Sequence, residues 1–189
     1  MQDLTPTAAP SPWLLRWQRH FGAGQTALDL ACGSGRHVRW LRGRGLQVCA
    51  VDRDARALAA LQDSGAELLV ADLEGAPWPL ADRRFDLVLV TNYLWRPLLP
   101  RLIEAVAPGG WLVYETFAEG HQLLGRPSRP DFLLRHGELL EAARGLRIVA
   151  YEDGFADGDG AGVNPRQIQR VAAVRERTPG DPQARYHLP

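Results

Sequence analysis

Eight residues near the N-terminus constrain this chain most: Asp29-Leu30-Ala31-Cys32-Gly33-Ser34-Gly35-Arg36. They end a short apolar run, Thr26 to Ala31, and lead into Arg36 to Arg44, where Val38 and Leu41 fall at helical spacing. A buried strand, a tight turn and a helix in direct succession form the first half of a βαβ unit. Two glycines one residue apart let the turn close tightly and let a ligand approach the backbone. They do so where a helix N-terminus presents free N–H groups.

The pattern then repeats. Leu46 to Val51 reads as a second strand, Asp54 to Ser64 as a helix, Glu67 to Ala71 as a third strand, and Phe85 to Thr91 as the most apolar fourth. Trp95 to Ala107 is helical by pattern, Pro108-Gly109-Gly110 breaks it, and Trp111 to Phe117 is a fifth strand. A third long helix is expected near Asp131 to Ala143, then strands near Arg147 to Glu152 and Ile168 to Arg175. No helix can cross over in the Gly/Asp-rich stretch between those last two, so they form an antiparallel hairpin at one edge. The expected fold class is α/β: a Rossmann-like three-layer αβα sandwich around a seven-stranded, mostly parallel sheet. Before the first strand, Ser11-Pro12 is a helix start, followed by Trp13, Leu14, Trp17 and Phe21 along one side. A single domain over 11–177 is expected, flanked by polar, Pro-rich tails at 1–10 and 178–189 that read as flexible.

Composition excludes several classes. Hydrophobic residues at 46% and charged residues at 23% rule out a wholly disordered chain. Twenty-two basic residues against 22 acidic ones leave no net charge, so the bulk positive field of non-specific nucleic-acid binders is missing. Nucleic acid is therefore the less favoured partner. All the basic residues are Arg, which excludes a Lys base or Schiff base. Cys32 and Cys49 lie in apolar runs without CxxC spacing, the pattern of reduced thiols in a cytoplasmic protein, and no metal site is expected. No apolar run approaches the roughly 18 residues of a membrane span, and the first residues lack the basic and apolar regions of a signal peptide.

Ligands of an open parallel sheet bind beyond the carboxyl ends of its strands. Asp52 ends the second strand, 17 positions past Gly35, and can accept hydrogen bonds from both hydroxyls of an adenosine ribose. Asp72-Leu73 ends the third, placed to meet the adenine ring. NAD-binding domains share this layout, but their fingerprint wants a small third residue where this chain has Val38.

The full set resembles the class I S-adenosylmethionine-dependent methyltransferases. The matching pieces are LDLACGSGRH, VD at 51–52, AD at 71–72, FDLVLVTNYL and LIEAVAPGGWLVYETF, spanning roughly Ala23 to Phe117. Ala31 departs from that family's usual Gly, and alanine is expected to ask only for a negative φ there. Within the family, NYLWRPLLPRL, YETF, GRPSRPDFLL and the final hairpin are similar to small bacterial methyltransferases of the tellurite-resistance type.

The resemblance implies S-adenosyl-L-methionine as cofactor, with S-adenosyl-L-homocysteine as product. It implies that Asp29, Ala31, Gly33 and Gly35 contact the methionine part, Asp52 and Arg53 the ribose side, and Asp72 and Leu73 the adenine. Asn92 would face the sulfonium. Methyl transfer is an in-line displacement that asks for a base only when the acceptor must lose a proton. Candidates are His37, Tyr93, Glu115 and His121. Arg126 and Arg129, in a proline-stiffened loop, are candidates for binding an anionic acceptor. The expected activity is methyl transfer to a small molecule. RNA methylation and cofactor binding without catalysis are the alternatives.

Overall fold

The computed structural model describes residues 9–158 and 164–188. The N-terminal tail up to residue 8, the middle of the last loop (159–163) and Pro189 lie outside the described residues. The strands are β1 (Thr26–Leu30), β2 (Gln47–Asp52), β3 (Glu67–Val70), β4 (Phe85–Thr91), β5 (Val106–Phe117), β6 (Arg147–Ala156) and β7 (Arg166–Val174). They form one sheet in the order β3-β2-β1-β4-β5-β7-β6. The first five are mutually parallel, and β7 is antiparallel to both β5 and β6, as the missing crossover requires.

The helices are short: α1 (Pro12–Arg16), α2 (Arg36–Gly43), α3 (Ala55–Ala59), α4 (Leu99–Glu104) and α5 (Glu138–Ala142). Strand alternation divides the apolar residues into two cores. Ala27, Val48, Ala50, Leu87, Leu89 and Val113 face Trp13, Leu14 and Trp17 of the α1 segment and Val38 and Leu41 of α2. Leu28, Leu30, Val51, Val88, Val90 and Leu112 face Leu102 of α4 and Leu139 of α5. Helices therefore cover both sides of the sheet.

Two of the expected elements differ in the structure. No long helix fills Asp131 to Ala143. Leu133 is extended, Leu134 bridges to Ala118, and Gly137 is left-handed at φ +74, so only a 3-10 turn at Pro130–Phe132 and the single turn of α5 remain. Arg96 holds this irregular segment by donating to the carbonyls of Asp131 and Leu133 and to both carboxylate oxygens of Glu138. The fifth strand also starts at Val106, ahead of the Pro-Gly-Gly break, because Val106 pairs with Phe85 before the register shifts. A Cβ at Gly110 would lie 2.8 Å from the Phe85 carbonyl oxygen, so only glycine passes there.

At the C-terminal end, Tyr186 lies edge-on to Trp111, which stacks on His20, and His20 meets the His187 carbonyl at 3.2 Å. These contacts hold that end against the first core.

Candidate active site

The strand order reverses between β1 and its two neighbours, and the turn that leaves β1 lies at that crevice. Three hydrogen bonds donated by backbone N–H groups fix it. Cys32 N–H donates to the Val51 carbonyl (3.1 Å), Gly33 N–H to Asp52 Oδ2 (2.8 Å) and Gly35 N–H to the Cys32 carbonyl (3.0 Å). They leave residues 31, 33 and 35 in the left-handed region, at φ +52, +54 and +75. The expectation that Ala31 would keep a negative φ is thus wrong. The hydrogen bonds on either side impose the turn, and the Ala31 Cβ tolerates it at about 1–2 kcal/mol. A Cβ at Gly33 would meet nothing within 4 Å, so that side of the turn is open. At Gly35 it would press to 2.4 Å on Leu61, so this residue seats the helix against the core.

Below the turn, Asp29 is 1% exposed, and its Oδ2 has no hydrogen-bond partner among the described residues. Burial pushes its carboxyl up to about 7, with Asp52 adding to the rise and Arg36 opposing it. His37 Nδ1 stands 3.9 Å from Asp29 Oδ1, within ion-pair range by distance alone. The pair is not ionic at neutral pH. Burial, with Arg36 beside it, pulls the imidazole down to about 3, and its Nε2 accepts the Ser11 N–H at 3.2 Å. Asp29 therefore lacks a cation of its own.

Beyond the turn, a cleft of about 200 Å³ is lined by Ala31, Asp52, Arg53, Asp72, Leu73 and Tyr93, among others. Asp52 reaches it while accepting the Gly33 and Asp54 N–H groups, the latter at 2.9 Å. Asp72 Oδ1 accepts from Glu74 N–H at 3.0 Å, which sets the carboxylate at the rim. The Tyr93 hydroxyl is buried without a partner among the described residues, and burial, with Glu74 and Asp72 nearby, raises the phenol above its usual value. It is a donor at neutral pH, not a base. Asn92 is exposed at φ +55, its N–H bound to the Glu115 carbonyl at 3.0 Å.

The other candidate bases separate. Glu115 is 2% exposed. It accepts the Ser11 hydroxyl, and its second oxygen lies 3.4 Å from Arg170 Nε. Ser11 Oγ in turn accepts from the N–H groups of Trp13 (3.0 Å) and Leu14 (3.4 Å) at the start of α1. Glu115 and His37 thus both fasten Ser11, and neither reaches the cleft as a base. The sequence marks Ser11 only as a helix cap; its grip on His37 of α2 and Glu115 of β5 depends on contacts 26 and 104 positions away. His121 lies elsewhere, ring to ring with Phe117 at 4.3 Å, in a second cleft of about 300 Å³. Arg126 lines that cleft together with Arg36 and Arg166, which the sequence did not single out. Arg129 does not line it: its guanidinium bonds Asp131 at 2.7 Å and lies over Phe132.

Sheet order, left-handed turn and strand-end carboxylates together are the fold of the class I S-adenosylmethionine-dependent methyltransferases. The family described as "Methyltransferase domain" matches residues 27–110 of this chain. Malonyl-[acyl-carrier protein] O-methyltransferase of Pseudescherichia vulneris is 36% identical over 103 residues, 50% of this chain and 40% of that protein. Among solved structures, TehB from Haemophilus influenzae superposes with a TM-score of 0.71 at 18% identity, covering 88% of this chain and 63% of its own. A TehB-like SAM-dependent methyltransferase from Corynebacterium glutamicum gives 0.63 at 19% identity, with 87% of both chains covered. The chain spans less than half the length of the curated relative it matches. These likenesses extend to the fold and to the strands and turns that line the first cleft.

Proposed function

We propose that this protein is an S-adenosyl-L-methionine-dependent methyltransferase acting on a small molecule in the cytoplasm. The observation that carries the reading is the orphaned Oδ2 of Asp29 beneath an open left-handed turn, with Asp52 one strand away. The residues present fit the cofactor. A buried carboxylate without a cation suits an α-ammonium group, and the turn at 31–35 admits the methionine chain close to the backbone. Asp52 offers lone pairs to two ribose hydroxyls beside Arg53. Asp72 and Leu73 would meet the adenine, and Asn92 would face the sulfonium.

When bound, the cofactor supplies an activated methyl group and its own leaving group. The chain's residues then hold the donor, admit an acceptor in line and exclude water, effects worth up to about 7–11 kcal/mol in well-oriented systems. Of the two candidate histidines, His121 has a buried ring nitrogen without a hydrogen-bond partner among the described residues. That nitrogen is Nδ1, while Nε2 lies 3.0 Å from the Arg126 carbonyl oxygen.

Calorimetric titration with S-adenosylmethionine and S-adenosylhomocysteine, with Asp52→Ala as control and NADH as competitor, tests the reading. Micromolar binding that the variant loses and NADH leaves untouched supports it. Binding of NADH alone overturns it. Cofactor binding with no methyl transfer to any acceptor, RNA included, would leave a binding protein without catalysis.

A further inference from the structure

The second cleft gathers three arginines. It opens beyond the ends of β5 and β7, bordered by Arg36, Phe117, His121, Arg126 and Arg166. In the sheet order, the first cleft stands over β2 and β3 and the second over β5 and β7, with the β1 turn between them. Arg36 directly follows that turn, so this cleft lies on the side of the methionine position away from adenosine.

Three guanidinium groups around one small cleft repel each other unless an anion joins them. Arg96 is engaged with Glu138, Arg129 with Asp131, and Arg170 lies near Glu115 and Glu152. Among the described residues, Arg36 and Arg126 have no side-chain hydrogen bond or ion pair. The Nε of Arg166 is buried and has no partner among the described residues. His121 adds a requirement of the opposite kind. It is 5% exposed, and its Nε2 faces a carbonyl oxygen that can only accept, so in the neutral ring Nε2 holds the proton. Its buried Nδ1 is then an unpartnered acceptor.

The geometry points to this cleft as the acceptor site, taking a small carboxylic acid that also carries an O–H or N–H nucleophile. The inference rests on the methyltransferase reading above. Arg126 and Arg166 bind the carboxylate, which suits the planar guanidinium fork. Phe117 offers a flat wall, and the nucleophile's proton meets His121 Nδ1. In the transfer, the acceptor's oxygen or nitrogen gives its proton to Nδ1 and bonds to the methyl carbon. The C–S bond breaks with its electron pair on sulfur, and the positive charge passes from sulfur to the imidazolium.

Ligand-observed NMR on the full chain with S-adenosylhomocysteine tests this, with 3- and 4-hydroxybenzoate, benzoate and methyl 4-hydroxybenzoate as probes. The hydroxy acids should bind the wild type more tightly than the ester. R126Q/R166Q should weaken the acids about tenfold or more and leave the ester unchanged. His121→Phe should bring the hydroxy acids down to the affinity of benzoate. S-adenosylhomocysteine affinity should stay the same throughout, which reports an intact fold. The inference is overturned if no acid binds, if the ester binds as well as the acids, or if the arginine variant keeps its affinity. Arginine-dependent acid binding by a wild type that takes no S-adenosylhomocysteine would uphold the anion site and overturn the cofactor reading instead.

Discussion

Asp52 Oδ2 accepts the Gly33 N–H at 2.8 Å, so the carboxylate that ends the second strand holds the turn that ends the first. One side chain therefore shapes the methionine side of the cleft and offers itself to the ribose. Asp52→Ala removes both effects. It should weaken S-adenosylmethionine binding by about 2–4 kcal/mol, roughly 30- to 1,000-fold, as two or more charge-assisted hydrogen bonds go. Calorimetry reads this directly, and a loss below about threefold would separate Asp52 from the cofactor.

Asp29 should govern a proton released on binding. Its carboxyl is raised to about 7 by burial, and an ammonium group beside Oδ2 would favour the charged form. Between about pH 5 and 7, cofactor binding should expel a proton, seen as a binding heat that varies with buffer ionisation enthalpy. Asp29→Asn should abolish that dependence along with most of the affinity.

The same residue sets a stability trade. Asp29 has a higher pKa folded than unfolded, so between about pH 4 and 7 the native state binds the extra proton and this group's stability contribution falls as pH rises. His37 runs the other way: lowered from 6.5 to about 3, it makes the unfolded state the proton binder, so stability rises with pH over that span. In the wild type the two slopes largely offset. Asp29→Asn without cofactor should gain stability relative to wild type as pH climbs from 4 to 8, by about 1–3 kcal/mol. Urea unfolding at several pH values checks the sign.

Ala31 holds φ +52 against its own Cβ. Ala31→Gly should stabilise the protein by about 0.5–1 kcal/mol, the relieved strain less the greater freedom of glycine in the unfolded chain. A destabilisation of similar size in denaturant melts would show that the Ala31 methyl group earns its place by packing.

Ser11→Ala takes away an N-cap and the donor to buried Glu115 at once. It should destabilise by about 1–3 kcal/mol, and the double variant with Glu115→Gln should cost less than the sum of the single ones. Glu115→Gln alone should lower Tm and leave S-adenosylhomocysteine affinity within about twofold, as a residue that only fastens α1 would. A fall in affinity with unchanged Tm would return Glu115 to the candidate bases.

The strands were legible in the sequence because a buried parallel strand needs a continuous apolar run, and TALDLA, LQVCAV and FDLVLVT are such runs. Asp52 and Asp72 were legible for a related reason: a carboxylate that closes an apolar run stands at a strand end, where an open sheet binds its ligands, whereas Asp29 stands inside its run, one residue short of the end of β1. The helices were less so. Local pattern extended a helix through Asp131 to Ala143, but the bridge from Leu134 to Ala118 and the clamp of Arg96 draw that backbone out of helical shape.

Charge and proton roles belong to the tertiary structure alone. His37, Glu115 and His121 look alike in sequence as polar residues near strand ends. What each can do depends on which neighbours take its lone pairs and how much water reaches it. Ser11 engages the first two and Arg170 lies 3.4 Å from the other oxygen of Glu115, while His121 Nδ1 has no hydrogen-bond partner among the described residues. Arg126 and Arg129 share one loop, yet Asp131 neutralises only the second. Sequence by itself determined the sheet and the strand-end carboxylates, since hydrophobic period and turn residues act over a few positions. Contacts across 26 to 104 positions decided which polar groups stay free to act, because desolvation and hydrogen bonding follow distance in space and not along the chain.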